Sequence, residues 1–349
     1  MRILGIETSC DETSAAVVEE TSDDARPWAI RSNVVASQVA IHREWGGVVP
    51  ELASRQHLRD ICDVVDRALV EANTTWRDLG AIAVTQGPGL VGSLLVGVSF
   101  AKAAAAAANL PLVAVHHLAG HIESLVLQNG ELPLPAIVLV VSGGHTSLYL
   151  VERPGAYRRL SRTRDDAAGE AYDKVAKLLG LGYPGGPVID RLARAGDDRA
   201  VALPMTRLTH ADRNAPELKG DLDFSFSGLK TAVLRHVRGH VAPLSDREIA
   251  DIAASFQRVV VTVLIEQTFD AARRHAATSV GVAGGVSANS RLRADLKERG
   301  ERREIPTFLP SLALSTDNAA MIAAAGLRKF RTGQVASLDL NADAALVLG

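Results

Sequence analysis

Arg2-Ile3-Leu4-Gly5-Ile6-Glu7-Thr8-Ser9-Cys10-Asp11-Glu12-Thr13-Ser14-Ala15-Ala16-Val17-Val18 and Ala136-Ile137-Val138-Leu139-Val140-Val141-Ser142-Gly143-Gly144-His145-Thr146-Ser147-Leu148-Tyr149-Leu150-Val151 decide the fold. Each is an apolar β-rich run, a short turn of glycine, hydroxyl or acidic residues, and a returning β-rich run, which predicts a pair of antiparallel strands around a phosphate-sized turn. Outward from the first pair, Trp28–Val39 reads as a third strand, and Pro50 opens an amphipathic helix with Leu58, Ile61, Val65 and Leu69 on one face. A buried-strand run at Ala81–Thr85, a Gly87-Pro88-Gly89 turn, a small-residue helix from Ser93 to Ala108 and a strand at Leu112–Val115 follow. The second pair begins the same plan again. The chain is expected to divide into residues 1–133 and 134–349, with a helix near 316–328 packing back on the first half.

Composition narrows the class. The chain has 349 residues, enough for two cores, and only 4% are aromatic, so those cores must be built from Ala, Val, Leu and Ile. Lys and Arg number 38 against 40 Asp and Glu, so no global basic field advertises nucleic acid. Two cysteines make no disulfide framework, and the first residues run into a strand instead of a signal-peptide core, so the cytosol is the expected compartment. The apolar stretch Ala103–Val115 contains Asn109 and Pro111 and is too short to span a bilayer, so no membrane is expected.

His116-His117-Leu118-Ala119-Gly120-His121 places His117 and His121 four residues apart where a helix can begin, which stacks both imidazoles on one face as a divalent metal requires. Buried or exposed histidines without a metal are the ordinary alternative. Ser315-Thr316-Asp317-Asn318 precedes an alanine-rich helix pattern, which puts Asp317 near a helix start as a third, carboxylate ligand. Two histidines and one carboxylate accept iron or zinc. Glycine turns at 46–47, 87–89, 143–144, 185–186 and 284–285 let backbone amides approach a phosphate. Two facing lobes of this kind describe the duplicated α/β plan of the actin, sugar-kinase and heat-shock ATPase group, with nucleotide and metal held between the lobes.

The motifs Gly5–Thr13, Gly46–Arg55, His117–His121, Val141–Thr146, Asp166–Lys174 and Ala283–Asn289, in this order, resemble the tRNA adenosine threonylcarbamoyltransferase family. The resemblance implies transfer of the threonylcarbamoyl group of L-threonylcarbamoyladenylate to the N6 amine of the adenosine 3′ of the anticodon in tRNAs reading ANN codons, with release of AMP. It also implies metal ligation by His117, His121 and Asp317, with iron as the family metal and zinc an alternative. Val140 stands where archaeal and eukaryotic members carry a ligating tyrosine, which follows the bacterial pattern. The turn of Val140, Val141, Ser142, Gly143 and Gly144 is implied to present backbone N–H groups to the substrate phosphate or carboxylate. Asp173, Gly186, Asp190 and Asn289 are implied to line a pocket for an adenine nucleotide or the adenylate. Asp11 is the candidate for acting on the incoming amine, with Glu12 beside it. The implied partners are tRNA, a metal-free paralogue as heterodimer, a small ATPase and an enzyme supplying the adenylate.

Other readings fit less. A metalloprotease would need glutamate after the first histidine, where Leu118 stands. A small-molecule kinase or carbamoyltransferase of the same two-lobed group explains the glycine turns but not the histidine pair together with 166–174. A non-catalytic scaffold binding nucleotide and a partner protein would be marked by loss of the histidine pair, which is intact. Arg158, Arg159, Arg162 and Arg164 could touch an RNA backbone, although Asp165 and Asp166 follow at once. His117→Ala is expected to stop transfer and spare the fold, because a ligand on a cleft wall carries little packing.

Overall fold

β1 (Arg2–Glu7) is buried along nearly its whole length because it is covered on both faces, which is why it reads as a continuous apolar run without alternation. In this computed structural model, which describes residues 1–349 apart from 209, 211, 213, 215–217 and 241, β1 pairs antiparallel with β2 (Glu12–Glu20), and β2 pairs antiparallel with β3 (Trp28–Ser37). A short helix α1 (Val39–Arg43) and the long helix α2 (Pro50–Glu71) lead to β4 (Leu79–Gly87), parallel to β1. Helix α3 (Val91–Ala108) then returns the chain to β5 (Leu112–His116), parallel to β4, and α4 (His117–Asn129) follows without a break. The sheet order is β3-β2-β1-β4-β5. Leu4, Ile6, Ala15 and Val17 face α2 and α3, where Ile61, Val65, Val98 and Ala101 complete one apolar layer. Helix α3 is long and apolar enough by composition to cross a bilayer. It packs here against α2 and β4 through its buried Leu94, Val98, Ala101 and Ala105.

The second sheet repeats the first. β6 (Ala136–Val141) pairs antiparallel with β7 (Thr146–Arg153), which neighbours β8 (Ala156–Arg162). Helices α5 (Ala168–Leu178), α6 (Gly185–Ala193), α7 (Ser227–Arg238) and α8 (Asp246–Arg274) intervene before β9 (Ser279–Ala283), parallel to β6. Helix α9 (Ser290–Arg303) and the short β10 (Thr307–Phe308), parallel to β9, complete it. The order β8-β7-β6-β9-β10 matches β3-β2-β1-β4-β5 strand for strand. A core of Leu139, Leu148, Tyr172, Phe256 and Val260 lies under it.

Two compact units result: Met1–Leu132 with Arg153–Tyr157 and Pro310–Gly349, and Pro133–Glu152 with Arg158–Leu309. Residues 310–349 therefore do not continue 134–309 into one lobe. Their helices α10 (Leu312–Ser315) and α11 (Ala319–Arg331) belong to the first unit, because α11 is apolar from Ala319 to Ala325 and covers the face of the first sheet that carries Ile3, Ala81, Ala83, Val113 and Val115. The contact is close: a Cβ on Gly5 would lie 2.4 Å from the Ala319 carbonyl oxygen, and one on Gly326 2.4 Å from the Ala83 Cβ.

Candidate metal centre

His117 and His121 stand on the first and fifth positions of α4, whose start is set by His116, the N-cap residue accepting a hydrogen bond from the Leu118 amide. One turn of helix brings the two rings to 4.7 Å between centroids, edge to face. Asp317 arrives from 200 residues away. It precedes Asn318, the N-cap of α11, whose Oδ1 accepts from the Met321 amide. The Ala319 amide donates to Ser14 Oγ on β2 and the Ala320 amide to Asn33 Oδ1 on β3, so the start of α11 is pinned to the first sheet.

The three side chains converge. Asp317 Oδ1 lies 3.2 Å from His121 Nε2 and 3.5 Å from His117 Nε2, and one ligand atom from each residue falls within 4.8 Å of the others. Metal bonds of about 2.0–2.1 Å at tetrahedral angles place neighbouring donors about 3.3 Å apart. His121 is fully buried, and neither ring nitrogen makes a well-directed hydrogen bond among the described residues, its Nε2 facing only the Asp317 carboxylate at 3.2 Å. Buried polar atoms are normally satisfied, so the orphaned imidazole and its two neighbours fit a divalent ion.

Behind His117 lies Glu7, also fully buried at the end of β1. Its Oε2 accepts from His117 Nδ1 at 2.9 Å and from Thr85 Oγ1 at 2.7 Å, and its Oε1 accepts from the Ser9 amide. Burial opposes charge on both groups, but the carboxylates of Asp317 and Glu7 raise His117 to about 9, and burial notwithstanding, the imidazolium holds Glu7 below the usual carboxylate range. Glu7 was not legible as a site residue, since an acid closing a strand is commonly a turn residue. In the next turn Asp11 is buried, and burial together with the charges of Asp11 and Asp317 pushes the Glu12 carboxyl well above its ordinary range.

The other expected site residues lie in the second unit. Val140 and Val141 are fully buried strand residues of β6, so they could meet a substrate only through their backbone. Gly143 and Gly144 are exposed, with open space where each Cβ would stand. Ser142 closes the turn, its amide donating to the His145 carbonyl. The late glycine turn abuts this one: Gly284 has φ +92°, and a Cβ there would lie 2.5 Å from the Val141 carbonyl oxygen. Asp173 on α5 accepts from the Gly185 amide at 2.7 Å, which fixes the start of α6 and leaves Gly186 open. Asp190 accepts from Ser290 Oγ at 2.8 Å. Asn289 caps α9 through the Leu292 amide and donates to Gln257 Oε1, so its amide group is engaged internally. Asp173, Gly186, Asp190 and Asn289 thus gather around the starts of α6 and α9.

Three of the four arginines of the run stand in ion pairs: Arg158 with Glu152, Arg162 with Asp212 and Arg164 with Asp223. Asp165 accepts from Ser225, Ser227 and the Phe226 amide, which ties the start of α7 to β8.

The strand-for-strand duplication of this α/β chain is the fold plan of the actin, sugar-kinase and heat-shock ATPase group. Solved structures carry the same fold: component A of the Acidaminococcus fermentans (R)-2-hydroxyglutaryl-CoA dehydratase aligns with a TM-score of 0.52 at 15% identity over 94% of this chain and 98% of that one. HypF of T. kodakarensis aligns with a TM-score of 0.60 at 14% identity over 97% of this chain and 49% of that one. Within this class the chain belongs to the tRNA N6-adenosine threonylcarbamoyltransferase family, whose profile matches residues 29–324. Relatives of that name are 54% identical in Anaeromyxobacter sp. (strain Fw109-5), over 99% of both chains, and 51% identical in Thermodesulfovibrio yellowstonii, over the full length of both.

Proposed function

We infer that this chain transfers the threonylcarbamoyl group from threonylcarbamoyladenylate to the N6 amine of adenosine in tRNA, the ANN-reading tRNAs being the substrates and AMP the leaving product. The observation that carries the reading is full-length similarity to transferases of that name, in a chain whose His117, His121 and Asp317 converge as metal donors. The exocyclic amine attacks the carbamoyl carbon, a C–N bond forms, the C–O bond to the adenylate phosphate breaks, and AMP departs with the electron pair. A bound divalent ion, iron by the family resemblance or zinc, would supply Lewis acidity toward an oxygen of the reacting group. Asp11, beside Glu12 in the first turn, is the acceptor assigned to the amine proton. The open Gly143 and Gly144 backbone presents amides to the adenylate phosphate, and Asp173, Gly186 and Asp190 take the nucleoside. Exposed Leu58 and Val70 on α2 and Val91 and Leu95 on α3 offer an apolar face to the paralogue partner, with the small ATPase and the adenylate-forming enzyme completing a cytoplasmic system.

Mass spectrometry of nucleosides tests this, using unmodified tRNA, threonine, bicarbonate, ATP, the adenylate-forming enzyme and the partners. The modified adenosine should form only when this chain is present and should disappear with a chelator. Intact adenylate without product would refute the transferase assignment.

A further inference from the structure

Glu7 is a fully buried carboxylate that none of the steps above uses. Three donors point at its two oxygens: the Ser9 amide at Oε1, and Thr85 Oγ1 and His117 Nδ1 at Oε2, the last two at 2.7 and 2.9 Å. A carboxylate can only accept, so the partnership obliges the His117 proton to reside on Nδ1. In the neutral ring that metal ligation requires, the lone pair then lies on Nε2, which faces the side where Asp317 Oδ1, 3.5 Å away, and His121 Nε2 converge. We propose that Glu7 is the positioning residue of the metal centre: it fixes the tautomer and ring orientation in which His117 ligates through Nε2. The inference rests on the metal reading of the triad.

A merely structural role, holding the Ser9 turn to β4, would be served almost as well by glutamine. Glutamine, however, presents one accepting and one donating end to three donors. Either the Ser9 amide meets an NH2 group, or His117 Nδ1 does; the second arrangement drives the imidazole proton to Nε2 and removes the ligating lone pair. Outer-shell carboxylates of this kind tune affinity without touching the ion.

The full-length protein, stripped of metal, is titrated with Zn2+ against a chromophoric chelator, and the zinc-loaded form is examined by 15N NMR of its imidazoles. Wild type should bind one zinc with the His117 proton on Nδ1. Glu7→Gln should fold, by circular dichroism and thermal unfolding, but bind zinc about 10–100-fold more weakly, and Glu7→Asp should recover part of the loss. Wild-type affinity in Glu7→Gln, or Nδ1 ligation by His117 in the wild-type spectrum, would overturn the proposal; that spectrum decides the matter even if Glu7→Gln fails to fold. Zinc held no more tightly by wild type than by Asp317→Asn would instead bring down the metal centre itself, and this inference with it.

Discussion

Asp317 is the proposed ligand whose removal tests the metal reading with least damage to the protein, because its side chain keeps 19% of its surface exposed while His117 and His121 are buried. The same geometry argues against the expectation that His117→Ala spares the fold. That substitution leaves Glu7 as a fully buried anion without its cation, a change that costs about 3–5 kcal/mol when one partner of a buried pair is removed. Asp317→Asn keeps the shape and the helix start. It should abolish metal retention, measured by elemental analysis, and tRNA modification, while thermal unfolding stays near wild type; equal loss of stability in the two variants would contradict this account. The histidines were legible because a helix converts a spacing of four into one face, and Asp317 because it sits just ahead of a capped helix. Glu7 was not, since its partner lies 110 residues away and only the β1–β4 pairing with α4 behind it brings them together.

At the scale of elements, two histidines without assigned partners in the sequence form a buried chain that ties α1 and α2 to the turn after β1. The Val49 amide donates to His42 Nδ1, His42 Nε2 to Gln38 Oε1, Gln38 Nε2 to His57 Nδ1, and His57 Nε2 to the Cys10 carbonyl at 3.0 Å. The bond that His57 Nδ1 accepts from Gln38 requires a neutral ring, with Thr13 Oγ1 2.8 Å from the same Nδ1, and burial lowers the His57 pKa accordingly. A histidine depressed in the fold makes the unfolded chain the stronger proton binder, so its contribution is present above the unfolded value near 6.5 and is lost as pH falls toward the folded one. His57→Gln should therefore cost about 1–3 kcal/mol at pH 7.5 through unpaired buried groups, and the gap to wild type should narrow on going to pH 5.5. Thermal melts of both proteins across that range check this; a constant gap would show that His57 does not titrate. Nothing in the sequence marked this chain of bonds, because its members lie in different elements and hydrogen bonding has no periodicity. Gly5 shows the same blindness: it reads as an ordinary strand glycine, yet α11 crosses it, and Gly5→Ala should destabilise by about 1–3 kcal/mol through overpacking, measurable by denaturant unfolding.

The duplication was readable in the whole molecule because each copy opens with the same strand-turn-strand signature, and local alternation suffices to show that. The return of residues 310–349 to the first sheet was readable only for α11, whose apolar run demands cover; the tail beyond it is tied by the Ala336 amide donating to the Leu112 carbonyl, the Asp343 amide to the Gln86 carbonyl and Lys102 Nζ to the Leu340 carbonyl, with Ala336, Leu340 and Ala342 packed on the core. A long-range closure of this sort makes one unit depend on both ends of the chain, whereas the other is continuous apart from a short hairpin tip. The three tryptophans, Trp28, Trp45 and Trp76, all fall in the first unit, and Trp28 is buried under Arg328 and Arg331 of α11 at 5.4 and 5.8 Å from its ring centroid. Truncation after Leu309 removes that cover, uncovers Ile3, Ala83, Val113 and Val115, and deletes Asp317. The truncated chain should emit tryptophan fluorescence at the wavelength of exposed indole and retain no metal. The second unit keeps its own core, drawn entirely from residues 137–296, so limited trypsin digestion should still leave a resistant fragment from that region. Buried-indole emission after truncation would mean that the first sheet holds its shape without α11, and the close approach at Gly5 and Gly326 would then be a consequence of folding instead of a condition for it.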